Sequence, residues 1–188
     1  MSNVRIPSDD QLIAAAKRGS LESFGKLVER HEGRVAATVI GMLGDCAEAD
    51  DIGQEVFLRF YQAIRKFRGE SKVETYLTRI AINLSLNELK RRKRHQLLFV
   101  RSSSTSDADT SYHDRGQDQR DQKQIIDWAL QELKPAFRSV IVLRLIDGYS
   151  TEETSNILNI PVGTVLSRLA RAQEKLKQNL EPWISQIL

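Results

Sequence analysis

The stretch YSTEETSNILNIPVGTVLSRLARAQEKL, residues 149–176, predicts two helices joined by a tight turn. Ser150 followed three residues later by Glu153 is a capping box, which marks the start of a short helix ending at Leu158 or Asn159. The proline of the Asn-Ile-Pro turn suits the first turn of the next helix, because its missing N–H would be unpaired there. The turn has the length that a helix-turn-helix uses.

The second helix has a buried side and an outward side. A 4-3-4 spacing of apolar residues predicts the buried stripe Val165, Leu169, Ala172 and Leu176. At 100° per residue the outward residues are Gly163, Ser167, Ala170, Arg171 and Glu174, with Arg168 and Leu166 on the flanks. The outward face near the N-terminus of such a helix enters the major groove of DNA, which makes Ser167 and Arg171 the best-placed readers.

The segment before this motif, KPAFRSVIVLRLIDG, is apolar enough to scaffold it. Arg138 and Arg144 in this segment are candidate donors to phosphates. The alternative is an ordinary helical hairpin whose arginines are only solvated. The motif alone leaves both interpretations open.

The bulk composition excludes several classes of protein. The 188 residues are 40% hydrophobic and 28% charged, and the apolar runs fall short of the roughly 20 residues that a membrane span needs. The start MSNVRIPSDDQLI lacks the pattern of a secretory signal, and Cys46 is the only cysteine. One cysteine and three scattered histidines give no metal-ligand spacing. We therefore expect a cytoplasmic protein without membrane insertion, metal or other cofactor.

The net charge of +3 hides a strong segregation along the chain. Residues 45–55 contain five acidic side chains and no basic one, whereas residues 56–94 contain eleven basic and three acidic, a net +8. This asymmetry indicates two partners, one cationic and one anionic.

Apolar residues recur at intervals of three and four along most of the chain, which predicts an all-α fold. The exception is residues 101–121, which are rich in Ser, Asp and Gln and nearly free of aliphatic side chains. We interpret residues 96–122 as a flexible linker between two small helical domains, 1–95 and 123–188. Fully extended, the linker reaches about 90 Å. It is either a passive tether or a segment with a binding site of its own.

Two N-terminal segments carry further signals. ADDIGQEVFLRFYQAIRKF, residues 49–67, predicts an amphipathic helix with carboxylates, a glutamine and an exposed Phe57 off the buried line, which suits a partner helix. FRGESKVETYLTRIAINLSLNELKRRKR, residues 67–94, predicts a loop and then a helix that ends in five cations. Tyr76, Arg79 and Asn83 share a face of that helix, as expected of a single-strand binder. The plain alternative is a solvated helix end.

The order of these motifs closely resembles the extracytoplasmic-function (ECF, group 4) sigma factors of bacterial RNA polymerase. The matching motifs are Asp-Asp-x-x-Gln-Glu-x-Phe, Phe-Arg-Gly-Glu, Tyr-Leu-x-Arg-Ile-Ala-x-Asn and Pro-Val-Gly-Thr-Val-x-Ser-Arg-Leu. The resemblance implies a non-catalytic promoter-specificity subunit. Its N-terminal region 2 domain would bind core polymerase and open the −10 element, and its C-terminal region 4 domain would bind the −35 element.

The motifs and the resemblance together assign three sets of site residues. Those for core polymerase, which face the β′ clamp helices, are Asp50, Asp51, Gln54, Glu55 and Phe57. Those for the −10 strand are Phe67, Arg68, Ser71, Lys72, Tyr76, Arg79, Asn83, Lys90, Arg91, Arg92 and Arg94. Those for the −35 duplex are Arg138, Arg144, Thr164, Leu166, Ser167, Arg168 and Arg171.

The resemblance also implies partners: core RNA polymerase through its β′ and β subunits, promoter DNA and an anti-sigma factor. In the family the linker threads toward the active-site cleft, which favours a binding linker. The chain departs from the family at Leu166, Ala170, Gln173 and Glu74, so base preferences do not transfer directly. Leu166 is expected to contact a thymine methyl, and the alternative is that it packs against Val162 or a partner protein.

Two other hypotheses compete with the sigma factor. A free-standing helix-turn-helix regulator accounts for residues 123–188 but not for the acidic helix. A protein-binding adaptor accounts for the apolar surfaces but not for the basic ones. For Cys46, a buried inert thiol is favoured over a redox sensor.

Overall fold

The computed structural model describes residues 7–102 and 122–187, and the described part is helical with no strand. The described N-terminal unit contains four α-helices, α1 (Asp9–Lys17), α2 (Leu21–Leu43), α3 (Ala47–Ala63) and α4 (Val73–Ser102), and a short 3-10 helix, Ile64–Lys66, after α3. The described C-terminal unit also contains four α-helices, α5 (Gln122–Gln131), α6 (Pro135–Ile141), α7 (Thr151–Leu158) and α8 (Val162–Ile187), and a π-helical turn, Val142–Ile146, after α6. The predicted all-α class is confirmed.

Local sequence explains where several helices begin. Ser8 and Gln11 form a capping box at the start of α1, and the hydroxyl of Ser20 accepts from the backbone N–H of Ser23 at the start of α2. The chain leaves α2 through Gly44, whose φ of 82° is a conformation that favours glycine.

α4 is longer than the sequence indicated. It continues through Ser102, seven residues into the segment that we assigned as the start of the linker at residue 96. The rest of that segment up to residue 121 lies outside the described residues. The apolar run Leu97, Leu98, Phe99 and Val100 follows the basic cluster without a helix breaker, which explains the extension.

The core of the N-terminal unit lies between α2, α3 and α4. Its largest fully buried side chain is Phe60, which is surrounded by aromatic rings, with centroid distances of 6.0 Å to Phe24, 5.8 Å to Phe67 and 5.8 Å to Tyr76. The same hydrophobic cluster continues into the C-terminal unit, where it includes Val142. The two units are therefore packed against each other.

Candidate polymerase and nucleic-acid interfaces

The first candidate surface lies along α3. Val56 and Phe60 point into the core, while Asp50, Asp51 and Gln54 are exposed. Glu55 and Phe57, predicted to join this surface, are half-buried. The exposed carboxylates and amide offer acceptors to a partner.

An apolar groove between α2 and α3 lies beside these acceptors, and we call it the α3 groove. Its walls are formed by Val28, Glu32, Val35, Ala36, Ile40, Ala49, Asp50, Gly53, Gln54 and Phe57. Three of the five residues predicted to bind polymerase therefore line one groove. Glu55 lies outside it and accepts a hydrogen bond of 2.7 Å from Arg59.

The acidic stripe continues into apolar residues that the sequence argument missed. Leu58 is 52% exposed and Tyr61 is 41% exposed. They follow Gln54 at i+4 and i+7, so they lie on the same side of the helix. The ring of Tyr61 meets Phe24 edge-on with a centroid distance of 4.9 Å, which anchors the stripe to α2. The spacing of Leu58 and Tyr61 from Gln54 could have identified them from the sequence as part of this surface.

The second candidate surface surrounds the loop between α3 and α4, where the two aromatic residues predicted to contact DNA pack against each other. Phe67 is only 7% exposed, and its ring lies 5.1 Å from the half-buried ring of Tyr76. The side-chain amine of Lys17 donates to the carbonyl of Phe67 at 2.6 Å. The rings that were expected to stack on bases therefore pack against each other, and they support the loop from the protein side.

The polar residues of this loop line an open cleft, the loop cleft. From the N-terminal unit it contains Glu70, Ser71, Lys72, Thr75, Arg79 and Asn83, and from the C-terminal unit Glu153, Asn156, Ile157, Leu158 and Asn159. Arg68 stands outside the cleft and is highly exposed. Glu74 does not point into the cleft but pairs with Arg34 at 2.8 Å. The cleft collects four residues predicted to touch the −10 strand.

The basic end of α4 divides into two faces. Arg91 and Arg92 bind the carboxylate of Glu88 at 2.7 Å and 3.1 Å, and Arg92 also reaches Glu48 at 3.4 Å. The hydrogen bond from Arg91, together with that from Arg92 and both charges, holds the pKa of Glu88 below its ordinary value. Arg92 thus links α4 to the start of α3, whereas the Arg91 pair lies within α4.

The other face of this helix end is formed by Lys90, Lys93, Arg94 and Leu97, which line a shallow groove with Asn87. Its three cations are exposed, and none of them has an ion pair within the described residues. Lys93 was not assigned from the sequence, although its i+3 spacing from Lys90 places it on this face. This face is therefore the more available of the two for phosphates.

The third candidate surface is the helix-turn-helix formed by α7 and α8. The capping box of Ser150 and Glu153 is present, and the turn passes through Asn159 in the left-handed conformation with a φ of 51°. Val165 and Ala172 are fully buried, and Leu169 and Leu176 are half-buried, which confirms the predicted stripe.

The outer face of α8 is open to solvent. Ser167 and Arg171 are exposed, and Leu166 is 52% exposed. Thr164 and Arg168 are half-buried at the edges of this face, and the carbonyl of Thr164 accepts from the hydroxyl of Ser167 at 3.1 Å. This exposure shows that Leu166 is not packed away inside the chain, so its methyl groups are open to a thymine methyl or to a partner protein.

Arg138 and Arg144 were expected to contact phosphates, but their guanidinium groups bind carbonyls of the protein itself. Arg138 is 4% exposed, and its guanidinium donates to the carbonyls of Met42, Gln131 and Leu133 and to the side chain of Gln131. Burial lowers the pKa of Arg138 to about 10. Arg144 is half-buried and donates to the carbonyl of Tyr149. In this arrangement both arginines bind the protein's own backbone.

Replacing Arg138 with alanine should therefore reduce stability rather than change DNA sequence preference. The substitution leaves buried carbonyls without a donor, at about 1–3 kcal/mol for each unsatisfied group, so we expect a loss of at least about 2 kcal/mol. Chemical denaturation measures this loss. The matched control is Lys134→Ala, which removes an exposed cation one turn earlier and should cost less than about 0.5 kcal/mol. Equal effects of the two substitutions would contradict the assignment.

Within residues 7–102 and 122–187, no helix combines the length and apolar character needed to cross a bilayer. The same part of the chain contains no group of three or more His, Cys, Asp or Glu side chains placed to hold a metal ion.

Comparison with known proteins gives two matching family models. Residues 27–95 match Sigma-70 region 2, and residues 123–176 match Sigma-70, region 4. The ECF RNA polymerase sigma factor SigW of Bacillus subtilis is 32% identical over 89% of this chain and 94% of its own length. The ECF RNA polymerase sigma-E factor of Escherichia coli K12 is 31% identical over 94% of this chain and 96% of its own length.

Solved structures agree in fold. CnrH, solved in complex with the cytosolic domain of CnrY, superposes with a TM-score of 0.66 at 26% identity, covering 93% of this chain and 97% of that one. The sigma factor RpoE of Bartonella quintana, solved with the anti-sigma factor NepR, superposes with a TM-score of 0.68 at 22% identity, covering 86% of this chain and 98% of that one. With both family regions matched in order and relatives above 30% identity along nearly the full length, the chain belongs to the ECF sigma factors of the sigma-70 family.

Proposed function

We propose that this sigma factor binds core RNA polymerase through the α3 groove. The observation that carries the proposal is the exposed stripe of Asp50, Asp51 and Gln54 beside an apolar groove, continued by Leu58 and Tyr61. Acceptors next to exposed apolar side chains suit a helical partner with basic residues, which is the role the resemblance gives to the β′ clamp helices. Titration of fluorescently labelled protein with purified core polymerase tests this, and the expected result is a saturable one-to-one complex.

The loop cleft is the proposed site for the −10 strand. Lys72 and Arg79 supply donors for the backbone, and Asn83 supplies an amide that can donate to and accept from a base. The buried ring of Phe67 and the half-buried ring of Tyr76 pack against each other and hold the loop in shape, so an extruded base would enter the cleft and not stack between them. Capture of that base offsets part of the cost of opening the duplex.

The outer face of α8 is the proposed reader of the −35 duplex. Arg171 has the geometry to donate two hydrogen bonds to a guanine edge, and the exposed methyl groups of Leu166 suit a thymine methyl. Arg168 at the edge of the face is placed for a phosphate. Lys90, Lys93 and Arg94 add phosphate contacts from α4.

Arg171→Ala should relax base preference in the −35 element. Loss of a two-pronged contact costs about 1–3 kcal/mol at one base position, or roughly fivefold to more than a hundredfold in discrimination. Lys177→Ala, an exposed cation farther along the same helix, is the control and should weaken binding only through its charge. Selection on a randomised −35 library by the holoenzyme measures both. An unchanged base preference for the Arg171 variant would remove that residue from the reading face.

The proposal includes no chemistry by this chain, because polymerase forms the phosphodiester bonds. It places the protein in the cytoplasm, where polymerase acts. An inhibitory protein partner, which the resemblance implies, is part of the proposal, and CnrH was likewise solved in complex with another protein, the cytosolic domain of CnrY. Affinity purification from unstressed cells is the check, and a chain recovered without any stoichiometric inhibitor would contradict this part.

A further inference from the structure

The loop between α3 and α4 carries proposed contacts to the −10 strand but has little support of its own. It leaves the 3-10 helix at Phe67 and enters α4 at Val73. Gly69, with a φ of 74°, turns the chain in between. Within the described part of the chain, residues 68–71 make no backbone–backbone hydrogen bond. The path of the loop therefore depends on how its two ends are held.

Phe67 holds the first end of the loop. Its N–H donates to the carbonyl of Ala63 at 3.1 Å, which closes the last helical turn. Its ring is buried against Phe60 and Tyr76. Its ψ of 117° then turns the backbone from helical to extended, so the carbonyl of Phe67 lies outside the helical hydrogen-bond ladder. The exposed part of the loop starts from this carbonyl.

The partner of the Phe67 carbonyl is Lys17, the last residue of α1. The side-chain amine of Lys17 donates to this carbonyl at 2.6 Å, although the two residues are 50 positions apart. Lys17 is half-buried, and it forms no ion pair with a carboxylate among the described residues. A hydrogen bond from a charged donor is stronger than one between neutral groups. The amine of Lys17 is thus committed to the loop.

Helix α1 gives this amine a rigid base. The capping box of Ser8 and Gln11 fixes the start of the helix, and Leu12, Ile13 and Ala16 are buried in the N-terminal core. The lysine that follows Ala16 therefore has a fixed backbone, and only its side-chain torsions can change. The amine also lies at the carbonyl end of the 3-10 helix that precedes the loop, where a cation is favourable.

We propose that Lys17 is a positioning residue for recognition of the −10 strand. Its hydrogen bond to the Phe67 carbonyl sets the direction in which the loop leaves the core, and thereby where Ser71 and Lys72 stand in the loop cleft. Lys17 does not line the cleft itself, so it acts through the loop and not by touching DNA. This inference rests on the proposed function of the loop cleft.

The effect on recognition follows from the way an extruded base is read. Such a base is selected by the shape of its pocket and by hydrogen bonds to its edge, and both depend on where the loop lies. Without the bond from Lys17, residues 68–71 keep only the buried ring of Phe67 as a guide at this end. A loop that samples several paths accepts several bases. A residue that only stabilised the fold would instead affect all functions of the protein together.

Selection from a promoter library by holoenzyme that contains Lys17→Met tests the positioning role. Methionine keeps an unbranched apolar side chain but cannot donate a hydrogen bond. We expect discrimination at the captured −10 base to fall roughly tenfold, because a hydrogen bond from a charged group is lost. Preference in the −35 element and affinity for core polymerase should each stay within about twofold of the parent, since those surfaces share no contact with Lys17.

Two further variants separate the hydrogen bond from the charge. Lys17→Arg keeps a long side chain with a charged donor, so it should restore most of the lost −10 discrimination. Arg18→Met is the matched control, because it removes an exposed cation from the adjacent position of the chain. It should select the same −10 bases as the parent protein.

Thermal melting establishes that each variant is folded before selection. Parental −10 discrimination in folded Lys17→Met would overturn the positioning role, and so would equal losses in the −10 and −35 elements or an equal loss in Arg18→Met. If Lys17→Met does not fold, Lys17→Gln, which has a shorter and uncharged side chain, is judged by the same criteria. Absence of any −10 preference in the parent would instead count against the proposed function of the loop cleft.

Discussion

Placing two lysines on the α3 surface with Asp51→Lys and Gln54→Lys should strongly weaken binding to core polymerase. Both residues are exposed, and Gln54 lines the α3 groove. Removing one partner of an interfacial charge pair costs about 2–5 kcal/mol, and placing a cation opposite basic residues adds repulsion. We expect the affinity to fall by at least about thirtyfold, since each 1.4 kcal/mol is a factor of ten.

A titration of labelled variant with core polymerase measures this loss. Glu181→Lys is the control because it also adds positive charge at an exposed position, on α8 away from the α3 groove. The helices should remain folded in both proteins, as judged by thermal melting. Wild-type affinity in a folded double variant would remove the α3 groove from the polymerase interface.

Phe60→Ala should cause the largest loss of stability among single substitutions in the N-terminal unit. The side chain is fully buried and contacts three aromatic rings. Truncation of a buried phenylalanine costs about 3–5 kcal/mol, because the cavity is filled only partly by relaxation of its neighbours. Loss of Phe60 should also loosen the loop between α3 and α4, since Phe67 and Tyr76 rest on its ring.

Urea denaturation followed by circular dichroism gives the free energy of unfolding. The matched control is Leu58→Ala on the same helix. Because Leu58 is 52% exposed, this substitution should lower the free energy of unfolding by less than about 0.5 kcal/mol. A Phe60 variant within 1 kcal/mol of the parent, where about 3–5 is expected, would show that the aromatic cluster does not hold the unit together.

Short-range signals in the sequence were enough to predict the helix-turn-helix. The capping box of Ser150 and Glu153 and the buried stripe of α8 depend on residues a few positions apart, and both are present. The buried line through Val56 and Phe60 in α3 follows from helical periodicity in the same way. Periodicity identifies which side of a helix faces inward but not what covers the other side.

Contacts between distant segments explain what the sequence did not predict. Arginine is a residue type that often binds phosphates, yet the guanidinium of Arg138 donates to the carbonyl of Met42, 96 positions away along the chain. Phe67 precedes an arginine and a glycine as a loop residue would, but the ring is covered by Phe60 and Tyr76. The hydroxyls of Thr78 and Tyr149 form a buried hydrogen bond although the two residues are 71 positions apart. Such pairs leave no local pattern in the sequence.

The most direct test of the central claim is run-off transcription from a promoter library by purified core polymerase, with and without this protein. The account predicts initiation that depends on the protein and selects two elements, at −35 and −10. It further predicts that the Asp51→Lys/Gln54→Lys variant gives no transcript above core polymerase alone. A protein that binds duplex DNA in a salt-sensitive manner but directs no initiation would contradict the account and favour a free-standing regulator.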